Sequence, residues 1–209
     1  MKFPAKEPFN WIWITVLFAG LCMVTVTAQS FAVTIGDKYN GGIVFYVDDT
    51  GQHGLIAATT DASDSYCDAW NGNTYAGEYT WSTGQWKVVK KRDYAFKKID
   101  DTSTAIGQGA ENTRKILAKY PAAIYPNSAA AVAAAYRGGG YSDWFLPSKD
   151  ELNLLYLQKG VVGGFVDHNY YWSSSMNSWN YAWAQYFSTG LQYFNNMSYY
   201  NRVRAVRAF

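Results

Sequence analysis

Two histidines, two cysteines and 16 acidic residues limit the chemistry open to this chain of 209 residues. His53 and His168 stand alone, with no Cys-x-x-Cys or His-x-x-x-His spacing near them, so no zinc ligand set is encoded. Asp48 and Asp49 lie in a Gly- and Thr-rich stretch that lacks the alternating Asp/Asn and distant Glu of a calcium loop, and turn chemistry accounts for them. Ser173-Ser174-Ser175 lack the flanking glycines of a nucleophile elbow, and neither histidine has an evident partner for acid–base work. Asp150 and Glu151 follow Ser148 in a capping box, which makes them residues of a helix start before it makes them catalytic. The basic run Lys87, Lys90, Lys91, Arg92, Lys97 and Lys98 reads as a solvated face, or alternatively as a hold on acidic polysaccharide of a cell envelope. What remains is non-covalent chemistry. The tail is dense in Tyr, Asn and Ser, and a Tyr ring offers a large amphipathic surface with little rotamer entropy to lose, while Asn and Ser adapt their hydrogen bonds.

Composition points the same way. The chain is 49% hydrophobic and 18% aromatic but only 16% charged, with a formal net charge of +2. Apolar content of this order supports a packed core and excludes disorder. A near-neutral balance argues against duplex DNA, whose binding needs a field of Lys and Arg against the phosphates. Neither a metal nor a cofactor is expected.

Residues 1–32 are set aside from the fold. Lys2 and Lys6 precede an uncharged apolar run over residues 11–26, the pattern of a secretory signal peptide, with small-x-small cleavage points after Ala28 or Ala32. The run also approaches the length that spans a bilayer, so an uncleaved anchor is the competing reading. Cys22 follows Leu21, a large residue where a lipobox requires a small one. Cleavage leaves Cys67 as the only cysteine, so no internal disulfide forms, and the remaining chain is close to neutral. Residues 33–209 show no repeat of constant period and no linker, and are read as one exported domain.

The elements that would position a site follow from local signals. Apolar runs at 43–47 and 55–58, separated by an Asp-, Gly- and Thr-rich stretch, predict a β-hairpin. Residues 59–100 read as long loops. An amphipathic helix is expected within 102–120, over at least its second half, and the alanine-rich 127–137 predicts another, stopped by Gly138-Gly139-Gly140. A third helix starts at the capping box. The last forty residues, with short aromatic runs broken at Ser, Asn and Gly, predict several short strands. In the final one, Val203 and Ala205 alternate with Arg202, Arg204 and Arg207, giving two unlike faces.

The run Gly139-Gly140-Tyr141-Ser142-Asp143-Trp144-Phe145-Leu146-Pro147-Ser148-Lys149-Asp150-Glu151-Leu152 is followed by Tyr171-Trp172-Ser173-Ser174-Ser175 and Arg202-Val203-Arg204-Ala205-Val206-Arg207. Together with Ile35-Gly36-Asp37, Gly41-Gly42-Ile43-Val44-Phe45-Tyr46, Ile106-Gly107 and Asn112-Thr113, it resembles the exported bacterial domains of the DUF1566 type, related to the C-terminal domain of Legionella collagen-like proteins. The resemblance covers residues 35–209. It implies an α+β, C-type-lectin-like fold: paired terminal strands, small antiparallel sheets, two to three helices and long loops. Formylglycine-generating enzymes share that fold, but they use a pair of active-site cysteines, so an enzyme is not expected. Such folds occur with and without calcium, and no Glu-Pro-Asn sugar-binding triplet is present.

In members diversified by a retroelement, a reverse transcriptase that miscopies template adenines rewrites codons in the last strands, and the rewritten positions face the ligand. The resemblance places that variable region at about 170–207. It makes Asn177, Ser178, Trp179, Asn180, Tyr181, Tyr186, Ser188, Leu191, Tyr193, Phe194, Asn195, Asn196, Ser198, Tyr199 and Tyr200 the candidate ligand-binding residues. Nearly all are reachable from an adenine-rich Asn codon by changing its adenines. Trp172, Trp183, Phe187, Gly190 and the Arg-Val-Arg-Ala-Val-Arg strand stand between them as frame, with Ser173 to Ser175 at the edge of the site. The expected function is capture of a protein or glycan by a secreted or surface-displayed protein. The alternative is that the aromatic strands are core and the Asn residues turns.

Overall fold

The sequence Tyr39-Asn40-Gly41-Gly42 makes a tight turn because Asn40 and Gly41 both accept positive φ, at 45° and 88°. It joins β1 (Lys38–Tyr39) to β2 (Gly42–Val47), and β2 pairs antiparallel with β3 (Gly54–Ala57), which is the expected hairpin. Asp48 holds the tip of that hairpin: its Oδ1 accepts from Thr50 Oγ1 at 2.6 Å and from the Thr50 amide at 3.1 Å. The Thr50 hydroxyl keeps the Asp48 carboxyl below its ordinary range.

In this computed structural model the described residues are 32–62, 67–68, 77–80, 85–88, 99, 102–178, 181–197 and 199–209, with backbone alone for 67–68, 77–80, 85–88 and Ser178. Residues 1–31, which hold most of the segment expected to be a signal peptide, and most of the basic run lie outside them. Three short strands occur in the 59–100 stretch read as loops: β4 (Cys67–Asp68), β5 (Gly77–Thr80) and β6 (Gln85–Val88), the last two paired with each other.

Helix α1 (Gly109–Lys119) occupies the second half of the predicted span. Helix α2 (Ala129–Ala135) starts at Ser128, whose side chain accepts from the Ala131 amide at 3.3 Å. It ends before the glycines, at an extended Tyr136, and Gly138–Gly140 form a separate 3-10 turn. The capping box is present in both directions at the start of α3 (Lys149–Leu157): the Glu151 amide donates to Ser148 Oγ at 3.2 Å and the Ser148 amide to Glu151 Oε2 at 2.8 Å. A further turn, α4 (Lys159–Val162), brings the helices among the described residues to four, against the two to three expected. Gln158 bridges α3 and α4, its amide bonded to the Leu154 carbonyl and its own carbonyl accepting from Val161 and Val162, so the chain re-enters a helix after a kink.

Next come β7 (Tyr170–Ser178), β8 (Tyr181–Tyr186), β9 (Gln192–Asn196), β10 (Tyr200–Asn201) and β11 (Val206–Ala208). The molecule is mixed α+β with small antiparallel sheets. The terminal strands share one, ordered β1-β2-β3-β11; β7-β8-β9 make a second; β10 pairs with β4. β3 is buried along its whole length because apolar clusters cover both faces of its sheet. On one side Val44 and Ile56 join Ile116, the α2 alanines, Trp144, Trp172 and Ala184. On the other Phe45, Leu55 and Ala57 join Leu152, Leu155, Phe145, Tyr171 and Phe187. Alanine side chains let α2 lie close against its neighbours.

Between these clusters, Arg204 is fully buried, which corrects the expectation of a two-faced terminal strand. Val203, Arg204, Ala205 and Val206 are all buried, and regular pairing begins only at Val206. Burial of the guanidinium is tolerable because every side of it is met. Nε donates to Asp61 Oδ1 at 2.9 Å, Nη1 to the carbonyls of Ala58 and Gly163 at 2.9 and 3.1 Å, and Nη2 to that of Gly164. Phe165 lies 3.9 Å beneath it. The other oxygen of Asp61 accepts from Arg202 at 3.0 Å and from the Tyr171 hydroxyl at 3.1 Å. Burial pushes that phenol up to about 12.

Candidate functional site

Most of the described candidate residues are carried by β7, β8 and β9, with Ser188 and Leu191 in the turn between β8 and β9, Tyr199 just before β10 and Tyr200 at its start. Regular pairing sets Trp183 opposite Phe194, Ala184 opposite Tyr193 and Tyr181 opposite Asn196. Because side chains alternate along a strand, Tyr181, Trp183 and Phe194 share one face, and Tyr186, Tyr193 and Asn195 share the other. Two aromatic groups result. On the first face the Phe194 ring meets Tyr181 and Trp183 edge-on, with centroids 5.9 Å away in each case. On the second, Tyr170 lies 4.8 Å from Tyr186 and 6.0 Å from Tyr193. Burial and these two neighbouring rings raise the Tyr170 hydroxyl above its ordinary range.

Tyr181, Leu191, Tyr193, Phe194, Tyr199 and Tyr200 are between 38% and 58% exposed, so they are surface rather than core. Asn177 is also exposed, while Tyr186, Ser188, Asn195 and Asn196 are half-buried. Ser178 ends β7. Trp179, Asn180 and Ser198 lie outside the described residues. The frame residues Trp172 and Phe187 are fully buried. Gly190 turns β8 into β9 with φ at 81°, and a Cβ there would come within 2.3 Å of the Tyr156 ring, so only glycine fits.

Four residues assigned by sequence change place. Trp183 is half-buried rather than enclosed, and Lys149 Nζ sits 5.0 Å from its ring centroid, so it belongs to the first aromatic face. Ser173 to Ser175 are fully buried instead of edging the site. They form an irregularity in β7 between the pairs Trp172–Ala184 and Met176–Ala182, where the ladder is interrupted and the hydroxyls supply the missing bonds. Ser173 Oγ donates to the Trp183 carbonyl at 2.8 Å, Ser174 Oγ to that of Pro147 at 3.1 Å and Ser175 Oγ to that of Ser103 at 2.7 Å. The Lys149 amide donates to Ser175 Oγ at 3.0 Å, which ties the start of α3 to the sheet.

Glu151 does more than cap α3. Its Oε1 also accepts from the amides of Gly107 and Gly109, at 2.8 and 3.2 Å, so one carboxylate holds the starts of both α1 and α3. Burial pushes its carboxyl up, against the pull of the amides that donate to it.

His168, taken alone in the sequence, joins the second aromatic group: its Nδ1 is 3.2 Å from the Tyr186 hydroxyl. Its left-handed backbone, with φ at 63°, turns the chain just before β7. The Asp-His-Asn triplet ahead of Tyr170 is the local signal of that turn.

Among the described residues no group of three His, Cys, Asp or Glu side chains could hold a metal ion, and no helix is long and apolar enough to cross a membrane. No protein-family model matches the chain, and no curated protein matches it. The functional reading therefore rests on the residues themselves.

Proposed function

We propose that this chain is an exported or surface-displayed binding protein of the DUF1566 type, with a C-type-lectin-like fold, that captures a protein or glycan through residues 177–200. The single observation that carries the reading is a contrast in exposure along one segment. Six large apolar or aromatic side chains stand 38% to 58% open, while Phe187 and Met197, interleaved with them, are buried to within about one per cent. Rings held on a rigid sheet lose little entropy on contact, and aromatic residues dominate the energetics of recognition surfaces. The presence of β1 and β11 in one sheet supports the fold assignment. No covalent step is proposed: the Ser173, Ser174 and Ser175 hydroxyls are committed to carbonyls, and Glu151 to amides.

The test is a glycan array together with a panel of purified cell-surface proteins, probed with the native protein and with a Tyr193→Ala, Tyr199→Ala, Tyr200→Ala variant. The native protein should capture at least one ligand and the variant none, with stability altered by no more than about 0.5 kcal/mol per site. A large loss of stability would mean that the rings are part of the core. Capture that survives the triple change would place the site elsewhere.

A further inference from the structure

β9 closes one side of its sheet: it pairs with β8 and, among the described residues, with no strand on its other side. Which backbone groups face that open side follows from the ladder. The Tyr186 amide donates to the Leu191 carbonyl at 2.9 Å, so these two form a hydrogen-bonded antiparallel pair. Alternation then makes Ala184–Tyr193 and Ala182–Asn195 hydrogen-bonded pairs too. The opposite side of β8 agrees in phase, since the Phe187 amide donates to the Asn169 carbonyl and Ser173 Oγ to the Trp183 carbonyl. Gln192, Phe194 and Asn196 therefore turn their amides and carbonyls outward. The Asn196 carbonyl accepts from the Tyr199 amide at 2.9 Å, while the outward groups of Gln192 and Phe194 have no backbone partner among the described residues.

Natural edge strands are blunted by charge, proline or bulges. β9 reads Gln-Tyr-Phe-Asn-Asn: it has no charge and no proline, its register with β8 is regular, and Tyr193 and Phe194 are 44% and 55% exposed. It is also self-complementary about Phe194. A two-fold axis at that residue sets Phe194 opposite Phe194 of a second copy, Tyr193 opposite Asn195 and Gln192 opposite Asn196, and alternation keeps each pair on one face. Phe194 carries the outward amide and carbonyl that such a central pair must exchange. No like charges meet, which is what an isologous contact requires.

We propose that β9 is a homodimer interface in which two copies pair antiparallel about Phe194, joining their sheets into one. The union places Asn195 of the second copy beside Tyr193 and brings the two Phe194 rings together between the two Trp183 rings. Both recognition faces are thereby extended across the axis. The pairing uses edge hydrogen bonds and stands whether or not a ligand is captured.

The experiment uses the full chain with Cys22 and Cys67 replaced by serine. Light scattering after size exclusion, from about 1 µM to about 300 µM, spans the affinities of interfaces below standard size, and the mass should rise from monomer toward dimer. Phe194→Lys places like charges directly opposite each other and should keep the protein monomeric over that range with an unchanged unfolding transition. A Phe194→Cys variant should cross-link to itself under mild oxidation, because opposed Cα atoms in a hydrogen-bonded pair lie about 5.5 Å apart. Gln192→Cys, which faces Asn196 and not itself, should cross-link at least roughly tenfold more slowly. A monomer at every concentration, a dimer that persists in Phe194→Lys, or equal cross-linking at the two positions would each overturn the proposal.

Discussion

Replacing Asp61 with alanine should unfold the protein more easily by about 3 kcal/mol, and the geometry says why that figure and not a larger one. The carboxylate is 6% exposed and is shared by Arg204 at 2.9 Å, Arg202 at 3.0 Å and the Tyr171 hydroxyl at 3.1 Å. Breaking a buried ion pair by removing one partner costs about 3–5 kcal/mol, because the remaining charge has no water to return to. Arg204 keeps the carbonyls of Ala58, Gly163 and Gly164 and its place over Phe165, and Arg202 is 18% exposed and can hydrate. These contacts put the loss at the lower end. In a domain of this size about 3 kcal/mol corresponds to roughly 6–12 °C in melting temperature. Urea unfolding followed by tryptophan fluorescence reads it directly, with the slope against denaturant unchanged. The double variant Asp61→Ala, Arg204→Met should recover at least about 1 kcal/mol over the single one, since it removes the orphaned charge along with its partner. A single-variant loss under about 1 kcal/mol, or a double variant no better than the single, would refute the argument that Asp61 neutralises a buried guanidinium.

Three further outcomes are expected. Glu151→Ala deprives the amides of Gly107, Gly109 and Ser148 of their acceptor and should cost about 3 kcal/mol, at roughly 1 kcal/mol per buried amide, with Glu151→Gln intermediate; thermal unfolding checks both. Tyr171 is raised to about 12, so the folded state keeps a proton that the unfolded chain releases near pH 10, and stability should fall as pH rises from about 10 toward 12. Urea midpoints across that range should show the decline in the native protein and a flatter profile in Tyr171→Phe. Ligand capture should change little between about 0.1 M and about 1 M salt, because the proposed surface is aromatic; a steep loss would point to the basic run at Lys87 to Lys98 instead.

How much of this was legible in the sequence differs from feature to feature. The capping box at Ser148, the hairpin around Asp48 and the alanine helix after Ser128 depend on residues within a few positions of one another, and each forms where it was expected. The helix after Gln158 went unseen because its four residues carry too little periodicity. Outward tyrosines in the tail were expected, but their division between two faces was not. That division depends on the phase of each strand, and a one-residue slip would exchange the faces.

By itself the sequence determined where α2, α3 and the first hairpin begin, because caps, glycines and alanine propensity act over one or two turns of chain. It also determined that the tail is rich in groups suited to contact. Only the tertiary structure decided that Arg204 lies inside, since its neutralising partner Asp61 is 143 residues distant along the chain. The same holds for the serine run, buried because carbonyls of Ser103 and Pro147 arrive from other segments, and for Glu151, whose second set of amides comes from the start of α1. A polar group is stable in an interior only when its hydrogen bonds are met there, and partners that come from distant segments are assembled by the fold alone.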